Sequence, residues 1–193
     1  MSVSAAVMAG GRSRRMGRDK AWIDLGDGRP IVRHVVDVVS GVADDVLIVA
    51  NDERYATLGP RVVPDAHPGT GVLGGIATGV AAAAHERVLV VACDMPFLLP
   101  RMLRFLAEQA DGYDAVVPRV GGEYETLHAL YTKACLPAMR RALEAGERRV
   151  ISFFGDVRVR AVDADELRPL DLDLRSFTNV NTPEELAALR DRS

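Results

Sequence analysis

SAAVMAGGRSRRMGRDK, at residues 4–20, is the stretch of this chain that decides its fold class. Its apolar beginning is typical of a buried strand. Gly10 and Gly11 follow, and glycine lets a ligand approach the main chain closely. Four arginines then occur within seven residues, and the stretch ends in Lys20. Because backbone N–H groups with arginine and lysine favour a polyphosphate, this order predicts a strand followed by the floor of a nucleotide site.

Lysine is rare in this chain, which sets Lys20 apart. Among the 24 lysine and arginine residues, only Lys20 and Lys133 are lysines. An ammonium group acts as a compact point charge, whereas a guanidinium is a flat fork. We therefore expect a phosphate contact from Lys20. The alternative is that lysine is rare only because the codon usage favours arginine, and that neither lysine was kept for a particular role.

The glycine-rich stretch differs from the common phosphate-binding motifs. A P-loop needs a serine or threonine after its lysine, but Ala21 follows Lys20. The dinucleotide fingerprint GxGxxG is absent as well. The pattern GGxSxRMGxDK, at residues 10–20, instead resembles the opening motif of the nucleotidyltransferases that activate sugars and cofactors with a nucleoside triphosphate.

Composition indicates an ordinary globular protein. The chain has 193 residues, of which 48% are hydrophobic and 26% charged, and we expect a single domain over residues 1–193. A net charge of −3 argues against non-specific binding to nucleic acid or membrane surfaces. No apolar run reaches the length of a membrane span, and the N-terminus lacks the features of a signal peptide. Cys93 and Cys135 are too few for a disulfide framework, so we expect a cytoplasmic protein.

Apolar runs and helical patterns alternate along the chain. The predicted strands are residues 3–9, 46–50, 61–63, 87–92, 115–118 and 127–131. The predicted helices lie at residues 30–39, 51–58, 73–84, 100–110, 132–145 and 183–190, and residues 22–25 are expected to be a short extended piece. Continuous apolar strands are typical of a parallel sheet covered on both faces. We therefore predict an α/β fold with a three-layer, Rossmann-like, open and mostly parallel sheet. Residues 158–175 are rich in aspartate and arginine and are expected to form a surface excursion.

Polar or glycine residues follow four of the predicted strands, where open α/β sheets bind ligands. These residues are Gly10-Gly11, Asn51-Asp52, Pro64-Asp65 and Cys93-Asp94. A carboxylate such as Asp94, at the tip of a buried strand, is costly unless it is paired or bound to a cation. Beside a triphosphate, such a hard oxygen ligand suits Mg²⁺. The alternative is that Asp94 caps the following helix.

Five segments, in the same order over nearly the whole chain, resemble the molybdenum cofactor guanylyltransferase family. They are AGGRSRRMGRDK at residues 9–20, GVLGGI at 71–76, ACDMPF at 92–97, AGERRV at 145–150 and NVNTPEE at 179–185. The chain departs from the family at Met8, where leucine is common, and at Val72, where proline is frequent. The resemblance implies the fold of the nucleotide-diphospho-sugar transferases. It also implies transfer of GMP from GTP to the terminal phosphate of molybdopterin, with release of pyrophosphate.

The resemblance implies a role for particular residues in the nucleotide half of the site. The backbone of Met8, Ala9 and Gly10, together with Asn51, would face the guanine base. Asp65 would line the nucleoside pocket, Lys20 would contact the phosphates, and Asp94 would hold the cofactor Mg²⁺. Lys20, Arg15 and Asp94 would form the catalytic set, since two polyanions have to be aligned and their charge shielded.

The C-terminal half is expected to bind the acceptor. Arg148 and Arg149 would contact its anionic groups, and Asn179 and Asn181, two apart in an extended segment, would face the same side. The implied partners are GTP and molybdopterin, together with molybdopterin-delivery proteins and the molybdoenzymes that accept the product; no nucleic acid or membrane is expected.

Simpler interpretations remain open for several of these residues. Asn51 would serve only as a helix N-cap, Asp65 only as a turn residue after Pro64, and Arg148 only as a surface partner of Glu144 four residues before it. Asn179 and Asn181 would simply satisfy a loop. The four histidines have no metal-ligand spacing, and we assign them no chemistry.

Two other functions also stay open. One is a transferase of the same fold that uses CTP or another phosphorylated acceptor. The other is a non-catalytic nucleotide-binding adaptor, which the joint presence of Lys20 and Asp94 disfavours.

Overall fold

The computed structural model of the chain describes residues 2–9, 20–24 and 26–178. Strands and helices alternate through these residues. The strands are β1 (Ser4–Met8), β2 (Asp45–Val49), β3 (Arg61–Val63), β4 (Arg87–Ala92), β5 (Ala115–Val120), β6 (Glu123–Tyr124), β7 (His128–Thr132) and β8 (Val159–Asp163). The helices are α1 (Ile31–Ser40), α2 (Val72–Ala82), α3 (Pro100–Glu108), α4 (Leu136–Glu144) and α5 (Ala164–Leu167). The helix predicted at 183–190 lies outside the described residues.

All eight strands form one sheet. Its order is β3-β2-β1-β4-β7-β5-β6, and β8 pairs with β5. β1 lies parallel to both β2 and β4, while β7 runs antiparallel to β4 and β5. Only β6 and β7 therefore oppose the common strand direction, which confirms the predicted open and mostly parallel sheet.

Helices cover both faces of this sheet, and alternate residues of each strand face different cores. Ala5 and Val7 of β1 pack with residues of α1 and α3, whereas Ala6 and Met8 pack with residues of α2 and α4. The buried residues of α1 recur with helical spacing and are all aliphatic: Ile31, Val32, Val35, Val36 and Val39. This arrangement is the three-layer architecture that the sequence predicts.

Helix α2 lies unusually close to the first strand because it carries glycines on the contact face. A Cβ added at Gly79 would come within 2.9 Å of the Cβ of Ala6, and one added at Gly75 within 2.7 Å of the Cε of Met8. At Gly79 only glycine fits without a shift of the backbone, because the Cβ of Ala6 cannot move by itself, whereas at Gly75 the flexible end of Met8 would have to move. The N-terminus of α2 is thereby brought near the end of β1, where the ligand is expected.

One sequence prediction is wrong, and another is correct only in part. Residues 158–175 are not a surface excursion, because they contain β8, which pairs with β5, and α5. The charged residues of this segment obscured the strand: Arg158 pairs with Asp114, and Arg160 with Glu166. The extended piece predicted at residues 22–25 is correct only in part, because Trp22 belongs to a 3₁₀ helix, whereas Asp24 forms an antiparallel bridge with Pro30; Leu25 lies outside the described residues. A 3₁₀ helix spans Lys20–Trp22, and the Asp24 carboxylate accepts hydrogen bonds from the N–H groups of Gly26 and Gly28 in a turn.

Helices of the length and apolarity needed to cross a membrane are absent from the described residues.

Candidate functional site

The ends of β1, β2 and β4 meet at one edge of the sheet. Met8 is in register with Val49 of β2 and with Ala92 of β4. The Ala9 N–H donates to the Val49 carbonyl at 3.0 Å, and the Cys93 N–H donates to the Met8 carbonyl at 3.1 Å. The structure therefore brings together the residues that follow these three strands, among them Ala9, Asn51 and Asp94.

These backbone hydrogen bonds restrict what the first strand offers a ligand. Because the Ala9 N–H is used within the sheet, a base contact from this segment has to come from a carbonyl oxygen or from residues after Ala9. Gly10 and Arg15, and equally Asn179 and Asn181, lie outside the described residues, so their predicted roles stay predictions.

Asn51 and Asp65 are joined directly at the ends of β2 and β3. The Asn51 Oδ1 accepts a hydrogen bond from the Asp65 N–H at 3.0 Å. Asn51 is not the N-cap of the following 3₁₀ helix, because Asp52 takes that position and accepts from the Arg54 N–H at 2.9 Å. With its Oδ1 engaged, the exposed Asn51 presents an amide NH₂ group, which carries two donors.

The Asp65 carboxylate is fixed on one side and open on the other. Its Oδ1 accepts from the His67 N–H at 2.9 Å and lies 3.1 Å from the hydroxyl of Thr78, a buried residue of α2. The turn-residue interpretation is thus correct for Oδ1, while no hydrogen bond to Oδ2 is found among the described residues. Asn51 and Asp65 together present donors and an acceptor side by side. Sequence reasoning missed Thr78, and its only signal was a polar residue inside a helix of small apolar residues.

Asp94 lies in a turn directly after β4 and is half-buried. It does not cap α3, because that helix begins at Pro100 with Leu99 in the N-cap position. The cap interpretation of Asp94 is therefore wrong. No cluster of three or more histidine, cysteine, aspartate or glutamate residues suited to a metal ion occurs in the described part of the chain. A carboxylate in this position can supply an oxygen ligand of the kind that Mg²⁺ prefers.

Lys20 is half-buried and begins the 3₁₀ helix that contains Trp22. This helix packs against α1, and the Lys20 carbonyl accepts from the Ile23 N–H at 3.1 Å. The lysine is therefore carried on a short structured turn. Lys133, by comparison, begins the 3₁₀ helix Lys133–Cys135 that leads into α4.

A separate cleft of about 300 Å³ contains the two arginines predicted to bind the acceptor. Its lining residues include Val72, Tyr124, Arg148, Arg149 and Ile151. The cleft lies at the N-terminus of α2, since a Cβ on Gly71 would be 3.8 Å from the Arg148 carbonyl oxygen.

Arg148 is not a helical partner of Glu144. Helix α4 ends at Glu144, and Gly146 turns the chain away with a φ of 79°. Arg148 and Arg149 are exposed and belong to the connection after α4. Their cationic groups are thus presented by a loop next to an apolar wall formed by Val72 and Ile151.

Two titratable residues near the sheet edge were missed by sequence reasoning. Burial raises the pKa of Glu125, next to the cleft residues Tyr124 and Thr126. His128 of β7 is in register with Val91, close to the end of β4, and is fully buried. Burial lowers the pKa of His128 to about 4, against the opposing influence of the Ser176 backbone and the Asp171 carboxylate. A buried, neutral histidine gives no signal in the sequence apart from its place in an apolar run.

Comparison with protein families gives a match over most of the chain. The family model described as "MobA-like NTP transferase domain" matches residues 5–161. A relative from Pelotomaculum thermopropionicum, named probable molybdenum cofactor guanylyltransferase, is 42% identical and is matched over 98% of this chain and 93% of its own length. A relative from Desulfosudis oleivorans, named molybdenum cofactor guanylyltransferase, is 36% identical, with 96% and 93% covered.

Solved structures with the same fold are also found. Molybdopterin-guanine dinucleotide biosynthesis protein A from Archaeoglobus fulgidus superposes with a TM-score of 0.80 at 29% identity, covering 96% of this chain and 95% of that one. The 2-C-methyl-D-erythritol 4-phosphate cytidylyltransferase from Thermus thermophilus gives a TM-score of 0.70 at 19% identity, with 97% and 96% covered. The second likeness concerns the fold alone.

Proposed function

The chain belongs to the family of MobA-like NTP transferases, and from this membership we propose that it transfers GMP from GTP to the terminal phosphate of molybdopterin. The products are pyrophosphate and the molybdopterin guanine dinucleotide cofactor. The observation that carries the proposal is the 42% identity to a probable molybdenum cofactor guanylyltransferase over 98% of the chain. The sheet edge at Asn51, Asp65 and Asp94 supports it.

The reaction forms a bond from an acceptor phosphate oxygen to the α-phosphorus of GTP and breaks the bond from that phosphorus to pyrophosphate. A phosphate monoester with a second pKa of about 6 is largely dianionic at neutral pH, so the nucleophile needs no strong base. What the protein has to supply is alignment and charge stabilisation. In the proposal Lys20 and Arg15 supply positive charge at the phosphates.

Asn51 and Asp65 are the groups that would select the base. Guanine offers an O6 acceptor together with N1–H and N2–H₂ donors. The Asn51 amide can donate to an acceptor such as O6, and the open oxygen of Asp65 can accept from N–H groups. Cytosine and adenine lack guanine's combination, and a site built for one hydrogen-bonding set rejects analogues that leave its polar groups unpaired.

Nucleotidyltransferases of this kind generally use a divalent metal ion, and we propose Mg²⁺ held by Asp94. The position fits the ion, since a half-buried carboxylate stands at the tip of a buried strand. Bound Mg²⁺ would neutralise charge on the phosphates.

The cleft at Arg148 and Arg149 is the proposed acceptor site. Two exposed guanidinium groups suit the anionic groups of molybdopterin, and the apolar wall at Val72 and Ile151 suits a flat ring system. Asn179 and Asn181 would contribute from the following segment. On this proposal residues 1–193 act as one nucleotidyltransferase domain, with the nucleotide bound by the N-terminal half and the acceptor by the C-terminal half. A cytoplasmic location and contacts with delivery proteins and acceptor molybdoenzymes remain predictions.

A nucleotide panel tests the proposal. GTP, CTP and ATP are supplied in turn with molybdopterin and Mg²⁺, and pyrophosphate release is measured. GTP is expected to be used far better than the others, and Asn51→Ala is expected to narrow that preference more than it slows turnover of GTP. Preferred use of CTP would indicate that the protein is instead a cytidylyltransferase of the same fold. GTP binding without turnover would indicate the adaptor function instead.

Asp94→Asn tests the metal assignment. This change keeps the size of the side chain and removes its charge, so turnover is expected to fall by orders of magnitude while the circular dichroism spectrum stays that of the wild type. Asp111→Asn is the control, because Asp111 is highly exposed and pairs with Arg87 at the opposite end of β4. Near-normal turnover by a folded Asp94→Asn variant at ordinary Mg²⁺ concentration would contradict the assignment.

A further inference from the structure

Trp22, the only tryptophan of the chain, contacts the segment that follows Asn51. Its ring centroid is 5.5 Å from that of Tyr55, with the two planes tilted by 51°. The Arg54 guanidinium carbon lies 5.4 Å from the centroid of the indole ring. Because Lys20 and Trp22 share one short 3₁₀ helix, these contacts tie the turn that carries Lys20 to the region of Asn51.

Both partners of Trp22 make further contacts of their own. Tyr55 is 1% exposed and belongs to the core. The Arg54 side chain donates from Nη2 to the Asp52 Oδ2 at 2.7 Å and from Nε to the same oxygen at 3.0 Å. Asp52 is itself fixed as the N-cap of the 3₁₀ helix Glu53–Leu58. Trp22 thus contacts one buried ring and one cation that is ion-paired at the surface.

The indole ring is oriented by packing and ring contacts rather than by a hydrogen bond. Its Nε1 atom is buried and makes no hydrogen bond within the described residues. A single 3₁₀ turn has poor hydrogen-bond geometry and occurs only in short pieces, so the 3₁₀ helix Lys20–Trp22 depends on packing for its position. That packing includes the buried Ala21 and helix α1 as well as Trp22, so Trp22 is one of several contacts that position the lysine.

We propose that Trp22 is a positioning residue, which through Tyr55 and Arg54 couples the base-binding end of the nucleotide site at Asn51 to the phosphate-binding Lys20. The inference rests on the proposed function, which assigns Lys20 to the phosphates and Asn51 to the base. It adds a physical link between the two parts of the protein that would bind the two ends of the same nucleotide. With the turn held there, a nucleotide whose base lies at Asn51 would have its phosphates within the region that Lys20 serves.

A double-mutant cycle between Trp22 and Lys20 tests the link. From the usual strength of aromatic and cation–π contacts, Trp22→Ala is expected to lower kcat/KM for GTP about tenfold in the wild-type background. In the Lys20→Ala background the same change is expected to have almost no further effect, because the residue through which Trp22 acts is gone. Trp22→Phe retains a ring and is expected to keep most of the activity.

Arg54 gives an independent check that leaves the 3₁₀ helix of Lys20 unaltered. Arg54→Met is expected to reduce kcat/KM for GTP by about threefold, since it removes the cation–π contact together with the exposed ion pair to Asp52. Arg141→Met is the matched control, because Arg141 is exposed and pairs with Asp156 at 3.1 Å on α4. This control is expected to match the wild type. Thermal unfolding of every variant shows whether it folds.

Fluorescence provides a readout that does not require turnover. GTP is expected to change the emission of Trp22 in the wild type, and Arg54→Met is expected to diminish that change. The coupling would be overturned if Trp22→Ala lowered kcat/KM equally in the wild-type and Lys20→Ala backgrounds. It would also be overturned if GTP bound without changing the emission of Trp22. In both cases the proposed function would stand. Failure of the wild type to bind GTP in equilibrium dialysis would overturn the proposed function, and the coupling with it.

Discussion

Replacing His128 by leucine is expected to flatten the pH dependence of the free energy of unfolding. The imidazole is fully buried on β7, and its ring centroid lies 4.4 Å from that of Phe177. Burial disfavours the charged form and lowers the pKa from 6.5 to about 4, with Asp171 opposing the effect. Between these two values the unfolded chain binds a proton that the folded chain does not, so stability falls as the pH is lowered from 6.5 towards 4.

The size of the effect follows from the same shift. With a pKa of about 4 in the folded state and 6.5 in the unfolded state, the free energy of unfolding falls by about 2 kcal/mol between pH 7.5 and pH 5. In the leucine variant this contribution disappears. Replacing buried polar atoms by apolar atoms of similar bulk costs little by itself, so the stability of the variant at pH 7.5 is expected to remain near that of the wild type.

Urea titrations at pH 7.5 and pH 5 measure the effect in the wild type and the variant. His85→Gln serves as the control, since His85 lies at the surface beside Asp44 and its removal leaves the contribution of His128 in place. If the free energies of the wild type and of His128→Leu fell in parallel between the two pH values, the buried neutral imidazole would not be the cause.

Three further predictions follow from other parts of the structure. Lys20→Ala is expected to lower the rate of pyrophosphate release by about 10²-fold, whereas Lys133→Ala stays near the wild type; equal effects would refute the contrast between the two lysines. Gly79→Leu is expected to cost about 1–3 kcal/mol in urea unfolding, because the new side chain would collide with Ala6; an unchanged midpoint would contradict the close packing of α2. The hydrogen bond from Arg158 lowers the pKa of Asp114. This contact therefore stabilises the fold at pH values above the ordinary aspartate pKa. The stabilisation is lost as the pH falls through the lowered pKa. Asp114→Asn should therefore be less stable than the wild type at pH 7, with the difference narrowing in acid; a constant difference would refute this.

Much of the fold could be predicted because its signals are local. The apolar run at β1, the small-residue pattern of α2 and the helical spacing of valines in α1 each specify an element directly. Strand β8 could not be predicted in this way. Among the described strands it pairs with β5 alone, its Asp163 meets Arg119, which is distant in sequence, and no local pattern reveals such a partner.

The sequence by itself determined the order of the strands and helices apart from β6, β8 and α5, the residues at the strand ends and the family to which the chain belongs. Only the tertiary structure decided how those residues are used. It joined Asn51 to Asp65, engaged the Ala9 N–H within the sheet, and excluded the capping role of Asp94. It also placed Trp22 between Tyr55 and Arg54 and buried His128 beside Phe177. The physical reason is that propensity and periodicity act between near neighbours, whereas hydrogen bonds, ring contacts and desolvation depend on which distant segments the sheet brings together.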